Sequence, residues 1–148
     1  NTFRVQEGQA MEKDFEQRIQ AMSQLLKDVE PFEQRRIDKV RERLNEKFNE
    51  IKGEHDIDEH RFEQEVVYYL EKFDITEEKV RLQNHFDYFL EMMQQDVASG
   101  KKLNFIAQEM GREINTIGSK ASDMDIQKIV VQLKDELEKI KEQLMNVL

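Results

Sequence analysis

An all-α chain of elongated helices, arranged as long hairpins, is the fold this sequence predicts, and three observations carry the prediction. In 148 residues there are one Pro, five Gly and no Trp, so the turn-rich punctuation of an all-β fold is missing. Apolar residues recur at steps of three and four along most of the chain, the spacing of one helix face. Hydrophobic residues at 38% and charged residues at 37% are nearly balanced, which means much surface relative to interior and favours extended helices over a compact globule. No internal repeat or low-complexity tract points to a solenoid, and the pattern amounts to about five or six helices.

The first stripe, Met11, Phe15, Ile19, Met22, Leu26 and Val29, predicts a helix from about Phe3 to Val29. Pro31 then predicts a break or kink, because proline suits a first helical turn and resists an interior. A second stripe, Ile37, Val40, Leu44, Phe48 and Ile51, continues to about Gly53. Its other face carries Arg35, Arg36, Lys39, Arg41, Glu42, Arg43, Glu46 and Lys47, a mixture expected of a solvated face or a hairpin seam. The acidic stretch around Asp56 reads as a cap for a helix with Phe62, Val66, Leu70 and Phe73 inside. Asp74 to Glu78 opens a further helix, with Thr76 as its cap and acidic residues meeting the dipole, and with Val80, Leu82, Phe86, Phe89 and Met93 on its apolar side. After the loop at residues 97–100, Leu103, Ile106, Met110, Ile114 and Ile117 form the stripe of the next helix. Ser122 or Asp123 caps the last one, whose Ile126, Ile129 or Val130, Leu133, Leu137, Ile140, Leu144 and Val147 come close to a strict heptad seam. Such a seam needs a second apolar surface, within the chain or on another copy.

Charge singles out the segment from Gly100 to Lys120. Lys101, Lys102, Arg112 and Lys120 stand there against Glu109 and Glu113, a net of +2, so the remainder carries −11 of the overall −9. A protein that met a polyanion over its whole surface would not be this acidic, and only a local or multi-chain basic patch could bind one. Zero Cys excludes a disulfide scaffold and any Cys-ligated zinc or iron–sulfur site, and it is compatible with a reducing cytoplasm. No apolar run approaches the roughly 18 residues of a membrane span, so a soluble protein is expected. The chain begins with Asn rather than Met, from which an upstream part of the natural protein is expected.

Candidates for chemistry are few. Glu109 and Glu113 are four apart, which on a helix puts two carboxylates on one face with Cβ atoms roughly 5–6 Å apart. They are either hard oxygen ligands for Mg2+ or Mn2+ or two solvated helix glutamates that repel. His85 follows Arg81 by four residues and Glu78 by seven, so the three share one face, and an arginine one turn from a histidine suits a phosphate. His55 and His60 lie near a loop with weaker context. Nothing matches a P-loop, a GxGxxG turn, HExxH, an EF-hand or a nucleophile elbow.

Five segments, in order, carry a family resemblance: EGQAMEKDF (Glu7 to Phe15), DEHRFEQEV (Asp58 to Val66), DITEEKVRLQNHFDYF (Asp74 to Phe89), GKKLNFIAQEMGREINTIGSKASDMDI (Gly100 to Ile126) and LKDELEKIKEQLMNV (Leu133 to Val147). Together they resemble the C-terminal half of the YicC family of bacterial endoribonucleases over nearly the whole chain. The resemblance implies a cytoplasmic, metal-assisted enzyme that cleaves RNA rather than DNA, without a membrane, and assembles as a homo-oligomer, a hexamer in the family. The family's β-containing N-terminal domain would be the upstream part. On this reading residues 1–53 are a long helical hairpin or arm and 54–148 the helical catalytic region of one continuous all-α unit. Glu109, Glu113 and His85 are then expected as ligands of Mn2+ or Mg2+ and as catalytic groups. Lys101, Lys102, Arg112 and Lys120 would meet the RNA backbone, Arg81 the phosphate at the metal, and Asn115, Thr116 and Ser119 would add hydrogen bonds. RNA cleavage needs stabilisation of charge developing on phosphate oxygens and activation of a water or the 2′-hydroxyl, which a divalent ion supplies.

Two departures from the family's pattern stand out. Where it usually reads QEMNRE, this chain has Gly111, at a helix-propensity cost of roughly 1 kcal/mol relative to Ala. Lys101 and Lys102 replace a pair that commonly contains an arginine, which keeps charge but loses bidentate geometry. The competing reading is a non-catalytic helical oligomerisation or protein-interaction module driven by the last helix's seam.

Overall fold

Five helices follow one another in the computed structural model, which describes residues 2–52, 59–95 and 100–147, with side chains over 9–51, 59–95 and 100–146. They are α1 (Thr2–Lys52), α2 (Glu59–Lys72), α3 (Thr76–Met93), α4 (Gly100–Lys120) and α5 (Met124–Val147). The described residues contain no strand, so the all-α expectation holds. None of these helices is long and apolar enough to cross a membrane.

The predicted stripes become one shared core. Phe15, Ile19, Met22, Leu26 and Val29 of α1 pack with Leu82, Phe86 and Phe89 of α3, Met110 and Ile114 of α4, and Leu133, Leu137 and Ile140 of α5. The rings of Phe15 and Phe89 meet edge to face at 5.5 Å. The heptad seam of α5 is therefore satisfied inside the chain. Leu137, Ile140 and Leu144 are all buried, so among the described side chains the seam is covered within the chain, while the side chain of Val147 lies outside them. Val80, expected on the apolar side of α3, is instead 55% exposed, because it falls opposite the face set by Leu82, Phe86 and Phe89.

Pro31 does not break the chain. It sits on the exposed side of the continuous α1, where it removes one helical hydrogen bond at a cost of about 3 kcal/mol. Anchors on both sides hold the helix through it. Val29 is fully buried before it; just after it Lys79 of α3 pairs with buried Glu33, and Arg36 donates to the carbonyl oxygens of Phe73 at 2.6 Å and Lys120 at 3.4 Å. One guanidinium thus meets the carbonyl ends of two helices. Beyond this point α1 leaves the core and pairs with α2, where Phe48 stacks on Phe62 at 4.1 Å and only Val66 of α2 is buried.

The starts of α3 and α5 show which residues cap. Thr76 is the first residue of α3 rather than its cap: Ile75 occupies the cap position without a side-chain bond, and Asp74 just before it supports the turn, its Oδ1 accepting from the Thr76 amide at 3.1 Å and hydroxyl at 2.6 Å. Asp123 rather than Ser122 caps α5, accepting from the amides of Asp125 at 2.9 Å and Ile126 at 3.1 Å. Gln127 closes α4 from the other side, donating to the carbonyls of Gly118 at 2.6 Å and Ala121 at 2.7 Å.

Candidate functional site

Helices α3 and α4 lie antiparallel, and two ion pairs fix their register. Lys120 Nζ is 2.6 Å from Glu78, and Arg81 Nε is 2.9 Å from Glu113, so residues later in α3 meet residues earlier in α4. One further turn of the same register sets His85 level with Glu109, and the next sets Tyr88 level with Phe105.

Helical periodicity decides which side chains line the junction. With the buried stripe of α4 centred on Met110, the flank that bears Glu113 and Lys120 also carries Lys102, Glu109 and Thr116, with Phe105 and then Arg112 farther round toward the outward face. On α3 the flank that bears Arg81 carries His85 and Tyr88. Together they border the α3/α4 junction, the groove that the helical period and the two ion pairs define. The opposite flank of α4 faces α5: a Cβ on Gly111 would stand 3.4 Å from Leu137 Cδ2 and 3.9 Å from Lys141 Nζ, and one on Gly118 3.3 Å from Val130 Cγ1. The departure at Gly111 is thus turned away from the groove.

Arg81 is the electrostatic centre. Besides Glu113, it pairs with Glu77 and lies 3.7 Å from Glu78. The hydrogen bond to Glu113, foremost, raises its pKa above the ordinary arginine value, so the guanidinium stays charged. Glu78 and Glu113 are both buried, and the second oxygen of Glu78 is buried with no hydrogen-bond partner. Lys120, 3.4 Å from the carbonyl of Asp74 as well, is the other cation that neutralises this layer. The repulsion expected between Glu109 and Glu113 is relieved by arginines: Glu113 has Arg81, and Glu109 has Arg112 at 3.7 Å.

The predicted site residues therefore divide. Arg81, His85, Lys102, Glu109, Arg112, Glu113 and Thr116 share the groove, although the Thr116 hydroxyl donates to the Arg112 carbonyl at 3.0 Å. Lys101, Asn115 and Ser119 are exposed on the outward face of α4, with the Ser119 hydroxyl donating to the Thr116 carbonyl. Lys120 is engaged at the end of the groove. His60 is on α2 beside Gln64, 3.2 Å away, and His55 lies outside the described residues. Tyr88 and Phe105 escape the sequence reading. Their only signal is an aromatic residue placed off the buried stripe of its helix.

Among the described residues no three His, Asp or Glu side chains converge as a metal cage. The carboxylates at the junction are Glu109, beside Arg112, and buried Glu113, bound to Arg81; residues of this type could contribute one or two oxygens to an ion of the Mg2+ type, which keeps water or phosphate oxygens as its other ligands, rather than complete an all-protein site.

Comparison with known proteins assigns the lineage. The model of the family "Endoribonuclease YicC-like, C-terminal" matches residues 29–148. A probable endoribonuclease YicC of Clostridioides difficile (strain 630) is 39% identical over 146 residues, covering 98% of this chain and 50% of that protein. Another of the same description from Haemophilus influenzae is 31% identical over 145 residues, with the same coverage of each. The chain thus spans about half the length of the curated relatives it matches. The matched residues place it plainly: this chain belongs to the YicC-like endoribonuclease family, in the C-terminal part.

Proposed function

We propose that this chain is the RNA-cleaving helical part of a YicC-like endoribonuclease and that the α3/α4 groove holds the phosphodiester to be cut. One observation supports the reading: the Arg81–Glu113 pair joins α3 to α4 at 2.9 Å, and in that register the helical period brings His85 toward Glu109 and Lys102, residue types suited to binding an anion and moving a proton. The names of the two relatives support the reaction class.

In the proposed reaction Lys102 and Arg112 contact phosphates along the strand, and Lys101 extends that path outward. Arg81, held in place by Glu77, Glu78 and Glu113, meets the scissile phosphate and offsets charge that grows on its oxygens. His85, level with Glu109, is the group that takes a proton from the attacking hydroxyl or water or gives one to the leaving oxygen. A Mn2+ or Mg2+ ion held by Glu109 and Glu113 would supply further charge stabilisation when bound. Asn115 and Ser119 fall outside this set. Homo-oligomeric assembly, as a hexamer, and a cytoplasmic location belong to the same proposal. Assembly would have to use surfaces other than the α5 seam, which is in the core.

The test is cleavage of a structured RNA by the full-length protein, with and without chelator, comparing wild type with Glu109→Gln and His85→Ala. Both positions are only partly buried, so the variants should keep the wild-type unfolding midpoint and oligomeric mass while losing cleavage. Unchanged cleavage by both variants would sink the site assignment, and activity indifferent to chelator would sink the metal.

A further inference from the structure

We infer that the groove takes an unpaired stretch of RNA, whose bases stack on Tyr88 and Phe105, and not a duplex. The inference rests on the reading of the groove as the RNA site and names what that site selects. Both rings sit off the buried stripes of their helices, with Phe105 62% and Tyr88 47% exposed. Three ring pairs form among the described residues, Phe15 with Phe89, Phe48 with Phe62 and Tyr69 with Phe73, and neither Tyr88 nor Phe105 takes part in one. Register sets them level with each other on opposite walls. Tyr88 is three residues after His85, and Phe105 is four before Glu109, so each ring stands one turn from a group proposed to act on the phosphodiester.

Their neighbours decide the kind of occupant. Lys102 lies one turn before Phe105 on the same flank, and Arg112, its side chain 75% exposed, lies two turns after it. Aromatic faces with a cation on either side suit a strand of bases joined by phosphates, and stacking accepts any base because every base has a flat face. In a duplex those faces are already stacked on one another, and only backbone and groove edges remain for a protein. Two exposed rings would be idle against such a partner. The walls therefore favour a single strand laid along the groove, with bases against the two rings and the next phosphate along the strand near His85 and Arg81.

The experiment uses the full-length protein and three fluorescent RNAs of equal length: a single strand with bases, the same strand made abasic, and a duplex. Anisotropy is followed for wild type, Tyr88→Ala, Phe105→Ala and the conservative Tyr88→Phe. Each alanine variant should weaken the base-bearing strand by roughly 5- to 150-fold, the range for loss of one base–aromatic stack. Tyr88→Phe should bind like wild type, the abasic strand should bind all four proteins alike, and the duplex should bind wild type more weakly than the single strand. Equal affinity of the alanine variants for the base-bearing strand, or equal loss on the abasic strand, overturns the inference. So does a change in sedimenting mass with RNA affinity intact, which would make the rings a contact between copies. If wild type binds none of the three RNAs, it is the RNA reading of the groove that fails.

Discussion

Replacing Gly111 with Ala should stabilise the protein and leave its chemistry alone. A glycine in the interior of α4 costs roughly 1 kcal/mol relative to alanine in helix propensity. The added methyl carbon would stand 3.4 Å from Leu137 Cδ2 and 3.9 Å from the flexible end of Lys141, which is ordinary van der Waals contact and needs no repacking. Most of the propensity gain should therefore survive, about 0.5–1 kcal/mol, which for a chain of this size corresponds to a melting midpoint higher by roughly 1–4 °C. Gly118→Ala is the internal comparison. Its methyl would meet Val130 Cγ1 at 3.3 Å, a tighter approach to a stiff β-branched side chain, so the gain should be smaller or negative. Thermal unfolding followed by circular dichroism at 222 nm measures both. A midpoint lowered by Gly111→Ala, or a larger gain at Gly118 than at Gly111, would refute the reasoning. Because position 111 faces α5, Gly111→Ala in the full-length protein should also cut RNA at the wild-type rate.

Two further predictions follow from charge. Arg81 and Lys120 are already engaged by buried carboxylates, which leaves Lys101, Lys102 and Arg112 as the cations most open to phosphate, so the logarithm of RNA affinity should fall against log salt with a slope near −2 per protomer, about −0.7 for each; a slope near zero would contradict it. The caps predict the acid response: burial opposes the charge of Asp123, but hydrogen bonds from the Ile126 amide and Arg35 outweigh it and lower its pKa below 3.8, as the Thr76 hydrogen bonds do for Asp74. A carboxylate depressed in the folded state contributes stability fully above its unfolded pKa and loses it as pH falls through the folded one, so Asp123→Asn should melt below wild type at neutral pH and the gap should close below about pH 4. A gap that persists unchanged at pH 3 would mean the charge of Asp123 adds nothing.

How much of this was legible in the sequence depends on whether a single helix sufficed to decide it. The stripes of α3, α4, α5 and of α1 before Pro31 each required only the 3.6-residue period, and apart from Val80 they supply the core that forms. Pro31 misled because the local cost of proline is real, while the anchors that override it, Lys79 on Glu33 and Arg36 on two helix ends, come from α3 and from the ends of α2 and α4. The same holds for the α5 seam: periodicity revealed an apolar surface but could not say that α1 and α4 would cover it. Thr76 has capping chemistry, but only the backbone path decides that Ile75 takes the cap position and that Asp74 supports the turn before it. In the groove, Glu109, Glu113 and His85 were legible as residue types at helical spacing. That Arg81 would bind Glu113, rather than stand free for a phosphate, required the register of α3 on α4.

That pairing changes what the acidic residues of the groove are for. Burying Glu78 and Glu113 would be costly without cations, and Arg81 and Lys120 provide them. Their presence in turn fixes where Arg81 can point. A free arginine on a helix surface samples many rotamers and loses that freedom when a phosphate binds, whereas this one is already held by Glu77, Glu78 and Glu113 with 42% of its side chain exposed to the groove. In the proposed reaction the ordering is complete before RNA arrives, and the phosphate needs only to meet the open side of the guanidinium. The carboxylates that seem ill-suited to an RNA site thus position its central cation, and removing Glu113 should weaken the groove's hold on phosphate even though it removes a negative charge.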